Sequence, residues 1–191
     1  MKDQNQLLWE SVRPLLKKAK RKDFILHTKN VVRAMNELLE SEKGDPKILI
    51  PAAYLHDVGW SGVDDKLQTS TSKDDQSLAL HQHIDFAPNI IRPLLSDLGF
   101  DKKSIQKIIK IVISHKFIKP KDHDSQMLID ADTLSDTYLD SFESDFKSYH
   151  SSPAVHLQFR SKNSFYTKTA QDIFKKHIRV LEAKSQNNFW R

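Results

Sequence analysis

The sequence contains no cysteine, which excludes disulfides, thiolate metal sites and thiol nucleophiles together. Any metal it binds must be held by nitrogen and oxygen. It has only four glycines, and its seven prolines fall mostly at segment edges, which leaves little turn chemistry for a many-stranded sheet. It also lacks any uninterrupted apolar run of about 18 residues, and the stretch "MKDQNQLLWE" has neither the cationic nor the apolar region of a signal peptide. These absences lead to the expectation of a soluble, cytoplasmic protein with no membrane partner. Charge is not segregated either. The formal net charge is +5, with Lys and Arg interspersed among Asp and Glu, a pattern that suits small anionic ligands as much as nucleic acid.

What is present supports one sizeable core: 191 residues, 38% of them hydrophobic, are read as a single domain over residues 1–191. Apolar residues recur at helical spacing almost throughout, so the expected fold is all-α. Helices are expected from about Gln6 to Lys20, from an N-cap at Asp23 onward, from Pro46 to His56, from Leu80 to Leu98, from Lys102 to His115, from Ser125 to Ser141 and from Ser164 to about Ala183. Gly99 is placed as a C-terminal cap, whereas Pro88 and Pro93 should break or kink their helix. The polar run "SGVDDKLQTSTSKDDQS" after Trp60 is expected to be a loop or lid, and "YHSSPAVH" a break between helices.

Several polar side chains sit on the apolar faces of these segments. His27 shares a face with Val31, Ala34 and Met35; His56 follows Leu49, Ala52 and Ala53; His115 follows Ile108, Ile111 and Val112; Asp132 follows Leu128 and Ile129. Any one such histidine reads most simply as a core imidazole bonded to a backbone carbonyl. A buried aspartate is harder to accommodate, because an unpaired carboxylate costs several kcal/mol unless a cation or hydrogen-bond donors offset it. A divalent cation coordinated by imidazole nitrogen and carboxylate oxygen would satisfy all of these groups at once.

The order of His27, the pair His56–Asp57 in "LHDVG" and Asp132 in "IDADTL" resembles the HD superfamily of metal-dependent phosphohydrolases, over residues 23 to 136. The segment "HQHIDFAPNIIRPLLSDLGFDKKSIQKIIKIVISH" is also similar to the middle of that family, with His83, rather than His81, and His115 as its two histidines. The resemblance implies a compact helical domain with the metal site between helices. It implies His27, His56, Asp57 and Asp132 as ligands of a divalent metal, with Asp57 as the bridge if two ions bind. His83 and His115 are either ligands of a second metal or contacts to substrate phosphate. Trp60 departs from the pattern, since the family commonly has a small residue or a cation soon after the pair.

On this resemblance the expected function is hydrolysis of a small phosphate ester, a nucleotide first among candidates, by metal-activated water. Asp57, His83 and His115 are the catalytic candidates. Lys116, Lys66 and Arg160, together with Lys162, are candidate phosphate contacts; for each the plainer reading is a solvated surface charge. Nitrogen and oxygen ligands admit one or two ions of Mn, Fe, Co, Ni, Zn or Mg. Two other readings stay open at this point: an iron oxygenase of the same superfamily, and a basic helical module that binds nucleotide or nucleic acid without turnover, for which "KKAKRK" and the lysines from Lys102 to Lys121 are the support. The sequence leaves the oligomeric state open.

Overall fold

The computed structural model describes residues 3–20, 23–148 and 150–186. Arg21 and Lys22 of "KKAKRK" lie outside the described residues. Among the described residues there are ten α-helices, one 3-10 helix and no strand. They run α1 (Gln4–Leu16), α2 (Phe24–Leu39), α3 (Pro46–Leu55), the 3-10 helix Val58–Gly62, α4 (Asp65–Thr69), α5 (Lys73–Asp97), α6 (Lys102–Ile113), α7 (His123–Ser135), α8 (Leu139–Ser148), α9 (Pro153–Arg160) and α10 (Lys168–Gln186). The expectation of an all-α fold holds.

Aspartates begin several of these helices. The carboxylates of Asp3, Asp45, Asp101 and Asp122 accept from amides of the following first turns, satisfying donors that have no partner within the helix. Asp23 departs from expectation: it occupies the N-cap position of α2 but makes no capping bond. At the other end of α5, Gly99 at φ +79° closes the helix. Its amide bonds Ser96 O and the Phe100 amide bonds Leu95 O, both at 3.0 Å, the paired pattern that terminates helices in a left-handed residue.

Four features differ from the sequence reading, the first being that the single helix expected from Ser125 to Ser141 is two, α7 and α8. The polar segment after Trp60 is not one loop: it holds the end of the 3-10 helix, α4 and the first turn of α5. "YHSSPAVH" contains the start of α9, with Pro153 in the first turn and the Ser152 hydroxyl accepting from the Val155 amide. The fourth difference is that α5 runs without interruption through Pro88 and Pro93. Ala79, His83, Ala87, Ile91 and Leu95 recur at four-residue steps along its buried face and pack on the 3-10 helix and α6. Pro93 and Asn89, whose carbonyl loses its helical partner to Pro93, are both exposed, so water can take the place of the missing amide.

The core is built from α2 packed on α3 and α7, and α3 on α6. Leu49, Ala52, Ile108, Val112, Leu128 and Ala131, among others, are fully buried between them. One close approach brings the site together. A Cβ at Gly59 would lie 1.8 Å from the carbonyl oxygen of His83, so only glycine lets the 3-10 helix lie against α5 there. Farther along, Asp130 fixes the entry to α10: it accepts from the Tyr166 amide at 2.8 Å, the Thr167 amide at 2.8 Å and the Thr167 hydroxyl at 2.7 Å. This ties the connector between α9 and α10 to α7.

Candidate metal centre

The apolar stripes place polar groups from five segments at one point: His27 of α2, His56 and Asp57 after α3, His83 of α5, His115 after α6 and Asp132 of α7. Five of the six are buried, and the Asp132 side chain keeps 13% of its surface. The ligand atoms of His27, His56 and Asp57 lie within 4.8 Å of one another, and so do those of Asp57, His83 and His115. Asp57 belongs to both groups through different oxygens. Its Oδ2 is 3.5 Å from His27 Nε2 and 3.3 Å from His56 Nε2. Its Oδ1 is 3.8 Å from each of His83 Nε2 and His115 Nε2. Asp132 Oδ1 joins the first group at 3.3 Å from His27 Nε2.

The residues fit a divalent ion on hydrogen-bonding grounds. Nδ1 of His56, His83 and His115 faces a backbone carbonyl, of Ala53 at 2.9 Å, Leu80 at 2.6 Å and Val112 at 2.6 Å. Those carbonyls can only accept, so Nδ1 carries the proton and Nε2 presents its lone pair inward. In His83 and His115 that buried Nε2 has no hydrogen-bond partner. Two lone pairs aimed at a carboxylate oxygen have no donor to satisfy them, and a cation between them would.

The electrostatics of the two groups differ. Burial pushes the His27 imidazolium down, but the carboxylates of Asp132 and Asp57 outweigh it and raise its pKa to about 9. Burial works against ionised Asp57 and Asp132 as well. The histidines beside Asp57, and Lys116 with His27 and His56 beside Asp132, hold both carboxyls well below the usual range. On the other side, burial lowers His83 to about 4 against the attraction of Asp57, and burial likewise lowers His115.

The cluster opens into a cavity of about 460 Å³ whose wall includes Trp60, Gln68, Lys116, Thr133, Arg160 and Asn163. Lys116 reaches it, with its ammonium 2.5 Å from Asp132 Oδ2. Arg160 reaches it too, but its guanidinium is taken by two carboxylates, Asp136 at 2.6 Å and Asp145 at 2.5 Å. Lys66 is exposed on α4 and does not line the cavity; Gln68 of the same short helix does. Trp60 stacks on the His83 ring, with centroids 4.7 Å apart and planes 10° from parallel. Ser135 and Asp136, which are not among the candidates read from the sequence, approach His27 Nδ1 at 3.0 and 3.8 Å. Their spacing three and four residues after Asp132 was the available signal. Gln68 and Asn163 carried none.

Compared with known proteins, residues 24–137 match the model of the HD domain family. A solved structure described as a predicted HD superfamily hydrolase, from an uncultured Thermotogales bacterium, superposes with a TM-score of 0.67 and 22% identity, covering 96% of this chain and 90% of that one. At that identity the likeness speaks for the fold. The comparison with curated proteins finds no match.

Proposed function

The chain belongs to the HD domain family, and from that premise we propose that it is a metal-dependent phosphohydrolase acting on a small phosphate ester, a nucleotide being the first candidate. The observation that carries the proposal is the division of Asp57: one oxygen faces His27 and His56, the other faces His83 and His115. His27, His56, Asp57 and Asp132 would hold one divalent ion, and Asp57, His83 and His115 would hold a second. Ions bound there would supply Lewis-acid charge to phosphate oxygens and would lower the pKa of a water from 15.7 toward about 7.

The chain's own groups shape the rest of the reaction. Ser135 Oγ, which donates to Asp132 O at 2.6 Å, meets His27 Nδ1 at 3.0 Å and fixes the turn of that ring. Lys116, cationic because Asp132 and Asp57 outweigh its burial, offers positive charge to a phosphate entering the cavity. Trp60 closes one side against water and holds the plane of His83. Arg160 keeps Asp136 and Asp145 neutralised, so that part of the wall presents no unpaired carboxylate to repel the substrate.

The test is metal analysis of protein purified without added metal, followed by phosphate release from a panel of nucleotides and sugar phosphates. One or two ions per chain with phosphate release supports the reading. Iron with oxygen uptake and no phosphate release from any ester would overturn it.

A further inference from the structure

A second cavity, of about 570 Å³, adjoins the first and shares Thr133 and Asn163 with it. Its wall carries Lys119, Lys162, Ser164 and Tyr166 and contains no carboxylate. Lys119 comes from the connector between α6 and α7, Lys162 from that between α9 and α10. Both are exposed, and neither makes an ion pair with any described residue. The contrast with the first cavity is direct: there Lys116 is matched by Asp132 and Arg160 by Asp136 and Asp145. At the junction, Asn163 Nδ2 is buried with no acceptor. Asp130 holds this connector, at Tyr166 and Thr167, against α7, one turn from Thr133.

Two unmatched cations, an unmatched amide donor and a half-exposed tyrosine ring beside a phosphate-splitting centre describe a place for a second anion on the same molecule. We propose that Lys119 and Lys162 form a second anion subsite, so that the substrate is a small ester bearing two separate phosphates, one split at the cluster and one held in the adjoining cavity. This rests on the phosphohydrolase reading above. In the step, water oxygen bonds to phosphorus, the ester P–O bond breaks, and a proton from that water passes to the leaving oxygen. The products are inorganic phosphate and an alcohol that retains the second phosphate.

The probes are adenosine 3′,5′-bisphosphate and the two adenosine monophosphates, used with metal-loaded full-length protein. The native chain should favour the bisphosphate in kcat/KM by about ten-fold or more, the worth of two charge-assisted contacts. In the Lys119→Ala/Lys162→Ala double variant the ratio should fall to within about two-fold. No preference in the native chain, or a preference kept by the double variant, would overturn the subsite. Calorimetric binding of the bisphosphate gives an independent reading, about ten-fold tighter to the native chain than to the folded double variant; equal affinities sink the subsite. If metal-loaded protein splits none of the three esters and no other ester of the wider panel, the phosphohydrolase reading fails while the binding comparison still decides the subsite.

Discussion

Asp57 separates two regions that solve the same electrostatic problem in different ways. On its Oδ2 side, His27, Asp132 and Lys116 pair charge with charge: a proton on His27 and the Lys116 ammonium stand where positive charge is needed. On its Oδ1 side the histidines are neutral and their Nε2 lone pairs meet nothing. The first region is internally compensated, and the second is left with an unmet demand for a donor or a cation. Buried polar groups left unsatisfied are rare in folded proteins because each costs about 1–3 kcal/mol. The second group is thus the stronger structural argument for an ion, although the first carries more of the sequence motif.

The largest effect should come from the residue the two regions share. Asp57→Ala removes a ligand from both groups, and we expect metal content to fall below about a tenth of native and hydrolysis to fall about a thousand-fold or more. His115→Ala disturbs only the Oδ1 side, so part of the metal should remain. Metal analysis beside phosphate release checks this, and Asp57→Ala retaining as much metal as His115→Ala would break the idea of a shared carboxylate.

The pH dependence of metal binding sharpens the same contrast. A cation entering the Oδ2 side must displace the His27 proton, so its affinity should rise about ten-fold per pH unit up to about 9 and then level off. On the Oδ1 side, with His83 lowered to about 4, affinity should be nearly flat above about pH 5. Metal-free stability should follow the reverse logic. The folded pKa of His27 lies above the usual 6.5, so its contribution, about 3 kcal/mol at most, is fully present below 6.5 and lost as pH rises to about 9. His83, lowered in the fold, costs stability as pH falls from 6.5 toward 4. Titration calorimetry and urea unfolding across this range would measure both; a pH-independent affinity would break the assignment of the proton to His27.

How much of this was legible in the sequence follows from range of interaction. Helical periodicity is local, so the helices of the core and the inward faces of His27, His56, His115 and Asp132 could be read from spacing alone. Pro88 and Pro93 misled because their cost is local while the packing of Ala79, His83, Ala87, Ile91 and Leu95 that overrides it is tertiary. Arg160 read as a phosphate contact, since nothing in sequence joins it to Asp136 and Asp145, 24 and 15 positions away. The adjoining cavity was illegible for the same reason: Lys119 and Lys162 meet only through the fold.

The smallest expected effect concerns Trp60, three residues beyond Asp57 in the sequence. Its ring lies on His83 and also packs near Phe24, with centroids 6.0 Å apart, so it couples the Oδ1 group to the cavity wall without offering a ligand. A stacked ring fixes the plane of an imidazole whose Nδ1 is already held by Leu80 O, and loss of such support weakens metal binding about ten-fold. Trp60→Ala should therefore lower affinity on the Oδ1 side by that amount while leaving the pH-dependent phase of the Oδ2 side in place, and Trp60→Phe should restore most of it. Equal weakening of both phases would mean that Trp60 supports the whole cluster, and the division of labour at Asp57 would lose its sharpest local test.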